Sequence, residues 1–135
     1  MSLERRLCLV YAAILLAVAA INYIPGLTDD SGLAFGIFAL DPFDDALHLA
    51  SAIWAFLAGL IANRPARIFL LIFGAAYLGD GIFGLFTGWG FLDFAIFTNP
   101  SLGPSFAFPR IAANLPHIGL GAIALAAGVW TTRRP

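Results

Sequence analysis

The sequence predicts an all-α membrane protein of four transmembrane helices, arranged as a tandem duplication of a helix–outer loop–helix hairpin with a pseudo-two-fold axis along the membrane normal. Three observations predict it: a composition that water cannot solvate, long charge-free stretches, and an internal repeat. Of the 135 residues 61% are hydrophobic and 11% are charged, and all seven basic residues are arginine. Soluble domains carry roughly a quarter of their residues as charged side chains, so lipid must cover what charge does not. A chain of this length has room for a single four-helix domain and little else.

Residues 7–28, 46–63 and 111–132 contain no Asp, Glu or Arg, and each is long enough to cross a bilayer. The third span is interrupted: Ile68 to Gly79 is apolar, Asp80 follows, and Gly81 to Leu92 continues. An ionisable group inside such a segment marks a packing or functional position, because it must find a partner away from water. Arg5 and Arg6 precede span one, Arg64 and Arg67 lie between spans two and three, and Arg133 and Arg134 follow span four. The opposite side carries Asp29, Asp30, Asp41, Asp44, Asp45 and Asp93 with Arg110 alone. The positive-inside rule then puts both termini in the cytoplasm.

The first segment can also be read as a cleaved secretory signal, with Arg5 and Arg6 as its charged region, Leu7 to Leu16 as its apolar region and Ala17 to Ala20 as its processing site. The repeat argues against this, because cleavage would leave span three without its counterpart. Asn22-Tyr-Ile-Pro-Gly-Leu27 aligns with Asp80-Gly-Ile-Phe-Gly-Leu85, Tyr11 with Phe69, and Arg6 with Arg64. Leu33-Ala-Phe-Gly-Ile-Phe38 aligns with Leu92-Asp-Phe-Ala-Ile-Phe97, and Asp41-Pro42 with Asn99-Pro100. After an insertion, Asp45-Ala-Leu-His48 matches Asn114-Leu-Pro-His117, and register holds through Gly59 and Gly128. Repeat one covers about residues 5–63 and repeat two about 64–132. Two spans per repeat insert both copies in the same orientation, a symmetry found in transporters and in inert bundles alike.

The connectors Gly32 to Leu40 and Phe91 to Phe97 are too apolar for solvated loops and too short to span, so they are expected at the outer interface as turns or short helices. Asp41 followed by Pro42 reads as a cap and first-turn proline opening span two. Trp89 and Trp130 fall near span ends, where indole favours the headgroup region.

His48, Ala52, Ala55 and Gly59 fall within a helical stripe about 60° wide, and His117, Gly121, Ala124 and Gly128 repeat the spacing. Small columns let helix backbones approach closely in lipid, so each histidine is expected to face protein. Asn22 and Asp80 occupy equivalent positions at similar depth, with Asp45 and Asn114 forming a second layer nearer water. The expected site is a symmetric polar layer in the outer leaflet.

The plainest use of that layer is structural: imidazole N–H groups donated to carboxylate or amide fix neighbouring helices, and no cofactor is needed. The sharper alternative is a divalent metal, with His48 and His117 supplying nitrogen and Asp80 and Asp45 supplying oxygen, although no established ligand spacing is present. A haem b held between His48 and His117 is a further alternative. Movement of a proton or small solute between the repeats is another, opposed by the uniformly apolar inner half of every span. Ser31, Ser51, Ser101 and Ser105 stand in no nucleophile-elbow context, so hydrolysis finds no support. Cys8 is the single cysteine, which excludes an internal disulfide and a cysteine-based metal cluster. The net charge of -1 gives no footprint for nucleic acid. The partners expected are the bilayer itself and a membrane protein or a second copy of the chain.

Gly32-Leu-Ala-Phe-Gly-Ile-Phe38, followed by Asp45-Ala-Leu-His48 and Gly59, resembles the small bacterial four-helix membrane proteins grouped as domain of unknown function 4383. The resemblance covers most of the chain. That family carries a paired Asn/Asp-x-x-His before its second and fourth helices, which Asn114-Leu-Pro-His117 matches. Members tend to have a further histidine ahead of the first motif where this chain has Asp45, which weakens a shared-metal argument. The resemblance implies a bacterial inner-membrane protein and no established activity.

Overall fold

The computed structural model describes residues 1–133. Arg134, counted above in the arginine cluster after span four, lies outside the described residues. The chain is all-helical: α1 (Leu3–Ala20), extended by a 3₁₀ turn (Ile21–Tyr23), α2 (Pro42–Ile61), α3 (Asn63–Thr87), the single-turn α4 (Ala95–Thr98) and α5 (Phe108–Thr132). Four of these elements, Leu3–Tyr23, Pro42–Ile61, Asn63–Thr87 and Phe108–Thr132, are long and apolar enough to cross a membrane. The chain is therefore a multi-pass membrane protein whose helices suit a lipid bilayer. It divides into two compact units, Met1–Phe69 and Leu70–Pro135, with α3 running through the boundary.

In the first unit both ends of α2 are closed by side chains. Asp41 caps α2, accepting from the N–H groups of Phe43 (2.8 Å) and Asp44 (3.0 Å), while the Asp44 carboxylate accepts the Asp41 N–H (3.0 Å). With Pro42 in the first turn, this is the cap and proline start expected from sequence, and the Asp44 carboxylate completes it as a capping box. At the other end Arg5 donates Nε to the Gly59 carbonyl (2.8 Å) and Nη2 to that of Leu60 (2.7 Å), satisfying acceptors that a helix terminus leaves open. Ser2 Oγ donates to Asn63 Oδ1 (2.9 Å), and the Arg67 guanidinium stands 3.8 Å from buried Glu4.

Gly59 sits at a close approach of α1 and α2: a Cβ there would lie 3.0 Å from the Arg5 carbonyl oxygen and 3.2 Å from Cys8 Cβ. Ala52 and Ala55 of the same column are buried. Span one was expected to continue to Thr28 but its helix stops at Ala20 and the 3₁₀ turn at Tyr23. The physical reason is Pro25-Gly26: proline disfavours the helical region for Ile24, and Gly26 has φ of +86°. The connector beyond is a set of turns in which Asp29 Oδ1 accepts from the N–H groups of Ser31 and Leu33, both at 2.9 Å.

In the second unit, glycines again mark helix contact. A Cβ on Gly74 would strike the Leu125 backbone, one on Gly121 the Leu78 backbone, and one on Gly81 the Ile118 side chain. The small column Gly121, Ala124 and Gly128 is buried, so it packs α5 on α3 as a small-residue face should. Span three was expected to run to Leu92; α3 ends at Thr87, because Gly88 adopts φ of +89° and turns the chain back. Carbonyls near this helix end accept from donors beyond the turn. Leu102 N–H donates to Thr87 O (2.8 Å), Ser105 N–H to Leu85 O (3.0 Å), and Arg110 Nη1 reaches Gly84 O, Leu85 O and Gly103 O at 3.1 to 3.3 Å. Asn99-Pro100, aligned above with Asp41-Pro42, opens no helix: α5 begins eight residues later with Ala107 as its N-cap.

Phe35 and Phe94 are the two non-glycine residues with positive φ among the described residues, at +53° and +64°. Both occur in the connectors, at positions aligned with one another in the repeat expected from sequence.

Candidate functional site

The second unit gathers polar groups around Asp80. Its side chain lies in α3, two turns before the helix ends, and the residue is only 4% exposed. His117, in the third turn of α5, brings Nδ1 to 2.6 Å from Asp80 Oδ2, so the imidazole N–H donates to the carboxylate. The second carboxylate oxygen accepts two consecutive backbone donors from the connector, Phe91 N–H at 2.7 Å and Leu92 N–H at 2.8 Å. One carboxylate thus joins α3, α5 and the segment between them. Charge-assisted bonds of this kind are shorter and stronger than neutral ones, and they offset the penalty of taking a carboxylate out of water.

The chain can approach Asp80 because residue 90 has no side chain. A Cβ on Gly90 would lie 2.6 Å from Oδ1 and 2.8 Å from Oδ2, inside the carboxylate's van der Waals surface. The Tyr77 ring, 2% exposed, stands with its centroid 4.8 Å from that of His117, and Phe73 stacks on Tyr77 at 4.0 Å. The two rings lie about one and two helical turns before Asp80 on α3, with Tyr77 the one against the imidazole.

Asn114, expected in a second layer nearer water, instead turns Nδ2 onto the Arg110 carbonyl of its own helix (2.9 Å). Its side-chain oxygen occupies the space over Gly84, where a Cβ would collide with it. Asn114 is therefore a helix-contact residue in this unit and no partner of the Asp80 carboxylate.

The first unit uses the corresponding positions differently. Asn22 Nδ2 donates to the Leu40 carbonyl at 2.8 Å and faces the Asp45 carboxylate at 3.2 and 3.4 Å. An amide here donates to a connector carbonyl, whereas the aligned Asp80 accepts from connector N–H groups. Both tie a helix end to the loop that follows, with opposite hydrogen-bond polarity. His48 is 5% exposed in the second turn of α2. The residues singled out from sequence thus come together as Asn22 with Asp45 in one unit and Asp80 with His117 in the other.

Among the described residues no group of three or more His, Cys, Asp or Glu side chains is placed to hold a metal ion. Of the donor set considered from sequence, His48, His117, Asp80 and Asp45, the second unit brings Asp80 and His117 together as a close pair. Sequence reasoning missed Gly90 and the Phe91 and Leu92 N–H groups. Backbone donors leave no mark in a residue string, and the available signal was a Gly-x-Gly pair, Gly88 and Gly90, inside a stretch read as helix. No family model, curated protein or solved structure matches the chain.

Proposed function

We propose that this chain is a small integral membrane protein of structural or accessory-subunit kind, in which buried polar residues brace each helix pair and its connector. The observation that carries this reading is how the Asp80 carboxylate is used: both oxygens accept from protein donors, three in all, one on α5 and two in the connector. Donors from two further segments of the same chain on one carboxylate are what a brace between a helix pair and its connector requires. Absorption spectroscopy and elemental analysis of the detergent-purified protein test this against the cofactor reading. The brace predicts no Soret band and no stoichiometric metal; either signal contradicts it.

The two repeats, about residues 5–63 and 64–132, are further proposed to be copies of one ancestral hairpin related by rotation about the membrane normal. Support comes from the aligned motifs and from Phe35 and Phe94, which share an unusual backbone conformation at aligned positions. Non-glycine residues rarely adopt it, so its recurrence at matched sites is informative. The arginine distribution supports a topology with both termini in the cytoplasm of a bacterial inner membrane. Membership of the domain of unknown function 4383 group is proposed on the same motifs, Asp45-Ala-Leu-His48 and Asn114-Leu-Pro-His117.

A further inference from the structure

We propose that the second unit binds one anionic phospholipid in a groove along α3 and α5, with an acyl chain on small apolar residues and the phosphate on Arg133. The groove has a volume of about 460 Å³, and its apolar floor is formed by Leu78, Ala122, Leu125, Ala126 and Val129. Its end is framed by Trp130 and Arg133, on the last turn of α5 and its C-cap.

The groove follows from how the two helices meet. Gly74 and Gly121 let their backbones touch, which draws α5 against α3 along one line. On the flank beside that line stand Ala122 and Ala126, both exposed, where larger side chains would fill the space. α5 is the least buried of the four spanning helices, and Ala122 and Ala126 on this flank are open to an apolar ligand.

Length and charge select the occupant. From Ala122 to Arg133 the helix rises about 16 Å, close to the ~15 Å depth of one hydrocarbon leaflet. The apolar floor therefore matches one acyl chain of the leaflet that holds the end of α5. Arg133 supplies a positive charge at the headgroup end, and an indole at that level is the side chain that favours the same interface. A phosphate bearing an anionic headgroup satisfies Arg133 better than a zwitterionic one, whose own ammonium competes.

The test titrates the full-length protein in detergent with phosphatidylglycerol or with phosphatidylcholine of identical chains, counting adducts by native mass spectrometry. One arginine near the surface predicts that the first phosphatidylglycerol binds about fivefold more tightly than the first phosphatidylcholine. Arg133→Gln brings the two lipids to equal affinity. Ala126→Leu, which fills the groove and keeps the charge, weakens the first adduct of both lipids; Ala122→Leu is the second filling variant should the first fail to fold. Equal affinities in the unaltered protein overturn the proposal. So does a preference that survives groove filling, since the arginines would then attract anionic lipid without the groove. A dimer that becomes monomeric on Ala126→Leu assigns the flank to a second copy of the chain and overturns it likewise.

Discussion

Asp80 Oδ2 and His117 Nδ1 stand 2.6 Å apart, and this bond holds α3 to α5 while the other oxygen of the same carboxylate holds the connector between them. The arrangement makes His117 and the connector energetically dependent on one side chain. Asp80→Asn and His117→Ala should each lower stability in detergent by about 0.6 to 2 kcal/mol, the range of hydrogen bonds between membrane helices. The double variant should lose less than the sum of the two, because the pair is already broken by either change. Thermal or denaturant unfolding of all four proteins measures the coupling, and strict additivity would sink the pairing.

Two glycines should respond in opposite directions to the same substitution. Gly90→Ala drives a methyl group into the Asp80 carboxylate, so the connector must move and stability should fall by about 1 to 3 kcal/mol. Gly119, in α5, has nothing within 4 Å of an added Cβ. There Gly119→Ala should be neutral or stabilising by up to about 1 kcal/mol, because alanine is the better helix former. Unfolding midpoints that move together would show that the space around Gly90 is not what constrains it.

The left-handed conformation of Phe35 and Phe94 sets a ranking of replacements. Asparagine tolerates this region and β-branched residues do not. Phe35→Val and Phe94→Val should therefore be less stable than Phe35→Asn and Phe94→Asn by about 1 kcal/mol or more. The proposed duplication predicts the same order at both sites, and opposite orders would argue that the connectors are unrelated.

Topology is open to a chemical test because Cys8 is the single native cysteine. In a Cys8→Ser background, cysteines placed at Phe43 and Phe97 should react with a membrane-impermeant maleimide added outside intact cells. One placed at Arg133 should react only after the membrane is opened. The reverse pattern would invert the proposed orientation.

The four spans were legible because charge-free length is a property of composition, and Asp80 was legible as a group needing a partner, with His117 among its candidates. The ends of spans one and three were not, since Pro25-Gly26 and Gly88 terminate helices inside sequence that remains apolar beyond them. In lipid-facing chains hydropathy does not separate a helix from a connector that folds back on it. The exchange of roles between Asp45, which meets Asn22, and Asn114, which turns to its own helix, was hidden for another reason. Repeat alignment pairs positions, but the partner of each depends on whether its neighbour donates or accepts, and Asn22 against Asp80 reverses that.

The most direct test of the brace is amide hydrogen exchange at Phe91 and Leu92 in the micelle-embedded protein. Their N–H groups should be protected in the unaltered chain, although neither belongs to a helix, and Asp80→Asn should speed both while leaving the amides of α1 unchanged. Rapid exchange at Phe91 and Leu92 with Asp80 intact would contradict the account.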